Sequence, residues 1–334
     1  MSAMIVLRCA LFALVLSLAS SPALAWGLRG HEIIGEAAVA HLPQTLPDWL
    51  RAQGARDEIV YLQSEEDRLK VGRPDEAAWY REWSTDHYID IGDDGKIAGA
   101  VAIDAMPPTR DEYIAALYGT KPATDPYAIG FLPYAILEGY EQVRSGFALE
   151  RFAEDALAAT SADTKATADA KAAAQLEVER RRALVIHDIG VFGHFVGDGS
   201  QPLHVSVHYN GWGNYPNPNG YTTASNTHAS YEDDFVVKYL TLPLVLPLVG
   251  PAQQFQTVPQ VSIDAYLATT LHEVIPFYEL QKRGAFDLAD STSAAHADGV
   301  KFTAARLAAA AQMLDSLIVT AYQTSTAIKP YTGQ

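Results

Sequence analysis

The sequence predicts an all-α, mainly helical fold in a single domain, and two observations support this. Apolar residues spaced three and four apart recur along the chain, as in residues 30–42, and this is the period of a helix with one buried face. Strand signals are few. With 334 residues, of which 49% are hydrophobic and 19% charged, the chain can bury a large core and does not have the composition of a disordered protein.

Nine segments carry the helical pattern, and one long loop interrupts them. The predicted helices cover residues 30–42, 110–117, 129–147, 148–182, 183–197, 228–240, 262–275, 294–317 and 318–325. The helix of residues 129–147 is expected to end near Gly146. Residues 148–182 are rich in Ala, Glu, Lys and Arg, which favours a helix with one solvent-facing side. Residues 208–227 are rich in Gly, Asn, Pro and Tyr, and loops this long inside a domain are usually functional or disordered.

The start of the chain has the pattern of a secretion signal. Arg8 precedes an apolar run over residues 9–19, which is too short to span a bilayer, and an Ala-x-Ala cleavage site ends at Ala25. We expect residues 1–25 to be a signal peptide and residues 26–334 to form the domain of an exported, periplasmic or extracellular protein. No membrane-spanning segment is expected after cleavage; an uncleaved anchor is the alternative.

Composition narrows the classes of function. The chain carries 24 Lys and Arg against 40 Asp and Glu, a formal net charge of −16, which excludes a broad basic surface for nucleic acid or anionic membranes. The one cysteine, Cys9, lies in the predicted signal. The exported chain would have no thiolate ligand, so a metal site would use His, Asp, Glu or backbone groups. Bound cations could then supply the positive charge for a phosphate.

Histidines and carboxylates recur at a spacing that suits metal ions. His194 and Asp198 are four residues apart, on one face of a predicted helix, and His204 lies just past the proline that ends it. His228 and Glu232 repeat the spacing. One such pair could be a surface ion pair, but two, one of them extended by a further histidine, favour a metal site.

Signal cleavage would add two ligands to this set. A freed Trp26 offers its α-amino nitrogen and its carbonyl oxygen, which can chelate one metal ion in a five-membered ring. His31 follows five residues later, at the start of the first predicted helix, and could complete that site.

Taken together, these residues resemble the three-zinc nucleases of fungi and plants (nuclease S-one/P-one type), which share a superfamily with bacterial zinc phospholipase C. The resemblance covers nearly the whole chain after residue 25 and implies the helical domain of that superfamily. It is carried by Trp26-Gly-x-x-Gly-His31, Asp75, His87-Tyr-Ile-Asp90, His194-x3-Asp198-x5-His204, His228-x3-Glu232 and the closing Ala305-Arg306-Leu307-Ala308.

The resemblance implies nine ligands for three Zn²⁺ ions, all of them nitrogen or oxygen donors. The first zinc would be held by Asp75, His87, His194 and Asp198, the second by the amine and carbonyl of Trp26, by His31 and by a bridging Asp198, and the third by His204, His228 and Glu232.

Asp67, in the segment Ser-Glu-Glu-Asp-Arg, is the other candidate for the first carboxylate. Asp75 is preferred because an Asp-Glu pair followed by tryptophans is similar to a stretch of the plant enzymes. The nucleases often carry a basic residue three positions after this carboxylate, where Ala78 stands here. That phosphate contact is therefore expected to be missing or taken over by Arg81.

By this resemblance the protein is an exported, zinc-dependent endonuclease that hydrolyses single-stranded DNA and RNA to 5′-phosphate products. A hydroxide shared by two zinc ions bridged by Asp198 would attack phosphorus, and the third zinc would stabilise the leaving oxygen. Asp75 and Asp198 are thus also the predicted catalytic residues. Tyr88 and Asp90 would bind the base by stacking and through a carboxylate, or both could be structural. No stable protein partner is expected.

Two other functions stay open. Glu232 stands where the fungal nucleases carry Asp, and residues 208–227 lack their Gly-Gly-Asn, which keeps a zinc phospholipase C releasing phosphorylated head groups as an alternative. Trp212, Tyr215 and Tyr221 of this loop could stack bases, cage a quaternary ammonium or cover the core. A metal-stabilised binding protein without turnover is the third possibility.

Overall fold

The structure, a computed structural model, describes residues 26–70, 81, 83–256 and 259–330. It is 67% helical, which confirms the predicted all-α class. The predicted signal peptide and Asp75 lie outside the described residues. Within the described part, the one sheet is a two-stranded antiparallel ladder of Lys96–Ile97 (β1) and Val101–Ala102 (β2).

Thirteen α-helices, several of a single turn, make up the described structure. They are α1 (Gly27–His41), α2 (Asp48–Arg51), α3 (Gln53–Leu62), α4 (Glu65–Lys70), α5 (Arg110–Tyr118), α6 (Leu132–Ala162), α7 (Ala168–Asp198), α8 (Thr227–Ala229), α9 (Val236–Tyr239), α10 (Leu242–Val245), α11 (Pro259–Leu271), α12 (Val274–Lys282) and α13 (Ala294–Thr324). Between α8 and α9 the chain forms a π-helix, Ser230–Phe235. Short 3-10 turns occur at Thr85–His87, Ile103–Ala105, Pro126–Ala128, Pro202–His204, Leu246–Leu248 and Ser325–Ala327.

Helices α6 and α7, of 31 residues each, form a long hairpin. The prediction that a helix ends near Gly146 is wrong, because α6 continues through this residue. A Cβ at Gly146 would lie 3.0 Å from the Val185 side chain, so the glycine lets the two helices approach closely. The chain turns instead between Ala162 and Ala168, where the Thr167 side chain caps α7 by accepting a hydrogen bond from Ala170 N at 3.1 Å.

Helix α13 lies in the centre of the core and packs against α1, α6 and α7. Its side chains Leu307, Leu314 and Leu317 are fully buried. In the described part of the chain, residues 294–327 form the one helix that is long and apolar enough to cross a membrane, and 72% of its most apolar window is buried in the structure. A core helix of a globular protein meets the same two criteria.

The end of α3 packs between α1 and α7. Gly35 of α1 and Gly193 of α7 both face the side chain of Gln63, and a Cβ at Gly193 would lie 2.0 Å from its amide nitrogen. Because the two glycines have no side chains, Gln63 and the chain after α3 lie close to α7. This places α4 beside the last turns of α7.

Candidate metal centre

Asp198, at the end of α7, is the centre of a buried cluster of histidines. Its Oδ2 lies 3.1 Å from His87 Nδ1 and 3.5 Å from His194 Nε2, which is one helical turn away on the same face. Its Oδ1 lies 3.4 Å from His31 Nε2 and 4.0 Å from His204 Nδ1. Histidines from four parts of the chain therefore surround one fully buried carboxylate.

The described residues contain three groups of His, Asp and Glu whose ligand atoms lie within 4.8 Å of one another, all of them buried. The first donor group is Asp67, His87 and His194, the second is His31, His194 and Asp198, and the third is His204, His228 and Glu232. The seven histidine, aspartate and glutamate ligands predicted within the described residues are all among them. Each group could hold a metal ion.

Asp67, on α4, is the carboxylate of the first donor group. The sequence pattern had favoured Asp75 for this role. Asp67 Oδ1 lies 3.8 Å from His194 Nε2 and 4.0 Å from His87 Nδ1. Asp75 lies outside the described residues, so its role stays a prediction. The position of Asp67 beside these histidines depends on how α4 packs against α7, and the sequence pattern alone does not contain this information.

A basic residue, Lys70, lies three positions after Asp67. Lys70 Nζ lies 2.6 Å from Asp67 Oδ1, and both side chains are buried. Arg81, the alternative basic residue, is instead paired with Asp125 and lies over the Tyr127 ring.

Trp26, at the start of the described residues, is fully buried. Its indole Nε1 donates hydrogen bonds to Gly197 O at 2.8 Å and to Ser200 Oγ at 3.0 Å, where α7 ends. Gly27 follows with φ +52°, and a Cβ there would lie 2.2 Å from Asp233 Oδ1, so this corner requires glycine. Trp26 is therefore part of the protein interior, beside the end of α7. That cleavage frees its α-amino group stays a prediction.

Backbone carbonyls orient two of the histidine rings. His194 Nδ1 donates to Gln63 O at 2.7 Å, and His204 Nδ1 donates to His87 O at 2.6 Å. Because a carbonyl can only accept, Nδ1 carries a hydrogen in both rings, and Nε2 is the nitrogen that faces the other ligands. In metal sites such contacts fix the tautomer and the direction of the ligand nitrogen.

The third group lies where the 3-10 turn after α7 meets the α8 region. Glu232 Oε2 is 2.7 Å from His228 Nε2 and 3.5 Å from His204 Nε2. Glu232 is in the π-helix, whose wider turn changes the direction of its side chains relative to an α-helix. Gln201 Nε2 donates to Glu232 Oε2 at 3.1 Å.

Several buried polar atoms of this cluster have no hydrogen-bond partner within the described structure, as is expected of atoms that bind a metal ion. Four buried atoms make no hydrogen bond with any described residue: Asp67 Oδ2, His87 Nε2, Asp198 Oδ1 and Glu232 Oε1. Leaving a buried carboxylate oxygen or imidazole nitrogen without a partner costs about 1–3 kcal/mol each, so native proteins rarely do so without a ligand. Imidazole and carboxylate donors suit zinc, and the residues present therefore fit divalent cations.

Burial controls the charges of the ligands. Burial, together with the nearby charge of Lys70, lowers the pKa of His87 and His194 well below the ordinary histidine value, so both rings are neutral, the form that binds metals. Burial raises the pKa of Asp198 well above its ordinary value. Burial also acts to raise the pKa of Glu232, but the charges of His228 and His204 and their hydrogen bonds lower it to about 2.

A cavity of about 430 Å³ opens onto the cluster. It is lined by Lys70, Ser84, His87, Tyr88, Asp90, Ala128, Leu203, His204, Tyr209, Asn210 and His228. The predicted substrate residues Tyr88 and Asp90 thus share one cavity with ligands of two donor groups. Burial raises the pKa of Asp90 to about 7.

Sequence reasoning missed Tyr209 and Asn210, which line this cavity from the loop after His204. Tyr209 is 50% exposed, and Asn210 Oδ1 accepts a hydrogen bond from His228 N at 3.2 Å. Their position next to His208 at the start of the long loop was the one available signal. A tyrosine beside a polar loop is too common to stand out by itself.

The loop aromatics divide into a buried and an exposed set. Trp212 and Tyr221 are buried, and Trp212 stacks on the fully buried His208 with ring centroids 3.6 Å apart. His208 Nε2 in turn lies 2.9 Å from Asp93 Oδ1. Tyr215 is 47% exposed. Of the alternatives left open for these three aromatics, Trp212 and Tyr221 cover the core, and Tyr215 is the one accessible to a ligand.

Comparison with known proteins adds no identification. No family model matches the chain, and no curated protein and no solved structure matches it.

Proposed function

We propose that this protein is an exported, zinc-dependent phosphodiesterase that acts as an endonuclease on single-stranded DNA and RNA. The observation that supports it most is the arrangement around Asp198, where three donor groups adjoin within one buried cluster. Two of these groups reach the wall of a cavity that also contains Tyr88 and Asp90. The assignment of the family rests on the sequence resemblance, and the geometry supports the metal centre that the resemblance implies.

The ligands of this centre would be His31, Asp67, His87, His194, Asp198, His204, His228 and Glu232, with the amine and carbonyl of Trp26 once the chain begins there. Bound Zn²⁺ ions supply Lewis acids that neutralise phosphate charge and make water nucleophilic near neutral pH. The one Lys or Arg side chain that lines the described cavity, Lys70, is already paired with Asp67, so the metal ions would supply most of the positive charge.

The cavity side chains would position the nucleic acid. Tyr88 offers an aromatic face on which any base can stack, which suits unpaired strands and low sequence preference. The Asp90 carboxylate can accept a hydrogen bond from a base edge. Lys70 lies in the wall between Asp67 and the cavity, where its ammonium group would attract a phosphate oxygen.

A phospholipase C acting on cationic head groups is the second candidate, and one feature favours it. Tyr209 and Tyr215 are both about half exposed, and the charges of Asp90 and Asp93 act on Tyr215. Aromatic faces beside carboxylates are the usual surroundings of a quaternary ammonium group.

Parallel assays of the mature protein separate these candidates. The protein is incubated with single-stranded DNA, with RNA and with phosphatidylcholine, each with and without a chelator. We expect chelator-sensitive release of nucleotides with 5′-phosphates. Release of head groups without nucleotides would overturn the nuclease proposal in favour of phospholipase C. Inactivity on all three substrates would favour a binding protein.

A pair of histidine variants provides the control. His194→Ala removes a residue that belongs to two donor groups and should abolish activity and reduce the zinc content. His187 lies on the same helix seven residues earlier, with its side chain 56% exposed. His187→Ala should therefore retain the zinc content and the activity of the unmodified protein.

A further inference from the structure

Gln201 is a fully buried glutamine that uses both ends of its amide. Its Oε1 accepts a hydrogen bond from Leu203 N at 2.6 Å, which caps the 3-10 turn Pro202–His204. Its Nε2 donates to Glu232 Oε2 at 3.1 Å and lies 3.2 Å from His228 Nε2. One side chain thus contacts two ligands of the third donor group, His228 and Glu232, and caps the turn that carries the third ligand, His204.

These contacts constrain the third group in two ways. The cap holds the turn that carries His204, whose backbone O also accepts a hydrogen bond from Ile89 N at 2.8 Å. The donated hydrogen bond is directed at Oε2, the Glu232 oxygen that faces both histidine nitrogens. Because Oε1 of Glu232 makes no hydrogen bond within the described structure, Gln201 is the contact from outside the donor group that holds the carboxylate in this orientation.

We propose that Gln201 is a positioning residue that pre-forms the third metal group by fixing Glu232 relative to His204. The inference rests on the metal centre of the proposed function, but it requires no particular substrate. Residues that orient a metal ligand typically contribute about 10- to 100-fold to affinity for the ion. Loss of Gln201 should therefore weaken one ion selectively.

The test compares Gln201→Met with Gln260→Met in the mature protein. Gln260 also donates from its side-chain amide, but to two backbone carbonyls outside the donor groups, Met106 O at 3.3 Å and Pro107 O at 2.8 Å. Zinc bound per chain is measured by elemental analysis across a series of buffered free zinc concentrations, without substrate. We expect three ions in the unmodified protein and in Gln260→Met. Gln201→Met should bind two ions normally and the third about 10- to 100-fold more weakly.

Retention of the third ion at unmodified affinity in Gln201→Met would overturn the proposal. So would an equal weakening of all three ions, because that result indicates a general structural role. If Gln201→Met does not fold by circular dichroism, Gln201→Asn replaces it, since the shorter amide cannot reach Leu203 N and Glu232 together. Three ions with no hydrolysis of any substrate would refute the proposed function and leave this inference intact.

Discussion

Lys70 and Asp67 form a buried ion pair at the wall of the cavity, with Nζ 2.6 Å from Oδ1. The other carboxylate oxygen, Oδ2, makes no hydrogen bond with any described residue. One aspartate therefore offers an oxygen to the first donor group while it holds a cation beside that group. Removal of this carboxylate should affect both the metal content and the stability.

Asp67→Asn and Asp75→Asn distinguish the two candidates for the first carboxylate. Asp67→Asn should lose zinc from the first group and leave Lys70 buried without its partner, a change that typically costs about 3–5 kcal/mol of unfolding free energy. Asp75→Asn should keep the zinc content. Both are measured by elemental analysis and urea unfolding; loss of zinc in Asp75→Asn alone would restore the sequence-based assignment.

Asp198→Asn tests the bridging carboxylate. Asn keeps the volume but removes the negative charge that faces His31, His87 and His194. We expect two of the three ions to be lost together, with activity at background. Elemental analysis that still finds three zinc ions per chain would show that Asp198 does not link two sites.

Addition of a single residue before Trp26 tests the terminal amine. The Trp26 indole is buried against the end of α7, so an added residue should be tolerated poorly and should remove the amine as a ligand. We expect a lower zinc content and loss of activity, whereas the same extension after Gln334 should change neither. An N-terminally extended protein with full zinc content would remove Trp26 from the ligand set.

Tyr88→Ala tests the stacking surface of the cavity. Base stacking on one aromatic side chain contributes about 1–3 kcal/mol, so kcat/KM on single-stranded DNA should fall roughly 5- to 150-fold. Zinc content should not change. Tyr118→Ala, at a tyrosine that is 55% exposed and outside the cavity, is the matched control. Equal activities of the two variants on DNA would argue against a base-binding role.

Asp315 makes stability depend on pH. It is fully buried in α13, neither carboxylate oxygen makes a hydrogen bond with a described residue, and burial raises its pKa well above the ordinary value. The folded protein therefore holds this proton more tightly than the unfolded chain. The free energy of unfolding should fall as pH rises from the unfolded pKa, about 4, toward the raised pKa of the folded state.

Asp315→Asn removes this dependence and should stabilise the protein at pH 8 by about 1–3 kcal/mol, with a smaller effect near pH 4. Thermal unfolding at both pH values measures the difference. Asp298→Asn provides the control, because Asp298 lies on the same helix with its side chain 55% exposed, in a surface pair with Arg283. A similar gain in both variants would mean that burial is not the cause.

The helical class and most of the cluster could be predicted because they depend on local spacing. Residues four apart share a helix face, so His194 with Asp198 and His228 with Glu232 were visible as pairs. Asp75 was preferred to Asp67 for its Asp-Glu pair followed by tryptophans, whereas the position of Asp67 beside His87 and His194 depends on the packing of α4, which a local pattern does not contain. Gly146 was misread as a helix end because its role, close contact with Val185, is a property of the α6–α7 interface and not of α6 alone.

The three donor groups differ in how much of the chain must fold around them. The third group comes from residues 204–232, whereas the other two unite residues as distant as His31 and Asp198. Because closing a short loop costs less entropy than closing a long one, the local group can assemble before α1, α4 and α7 have packed. We therefore expect the third group to bind its ion before the other two groups as the chain folds.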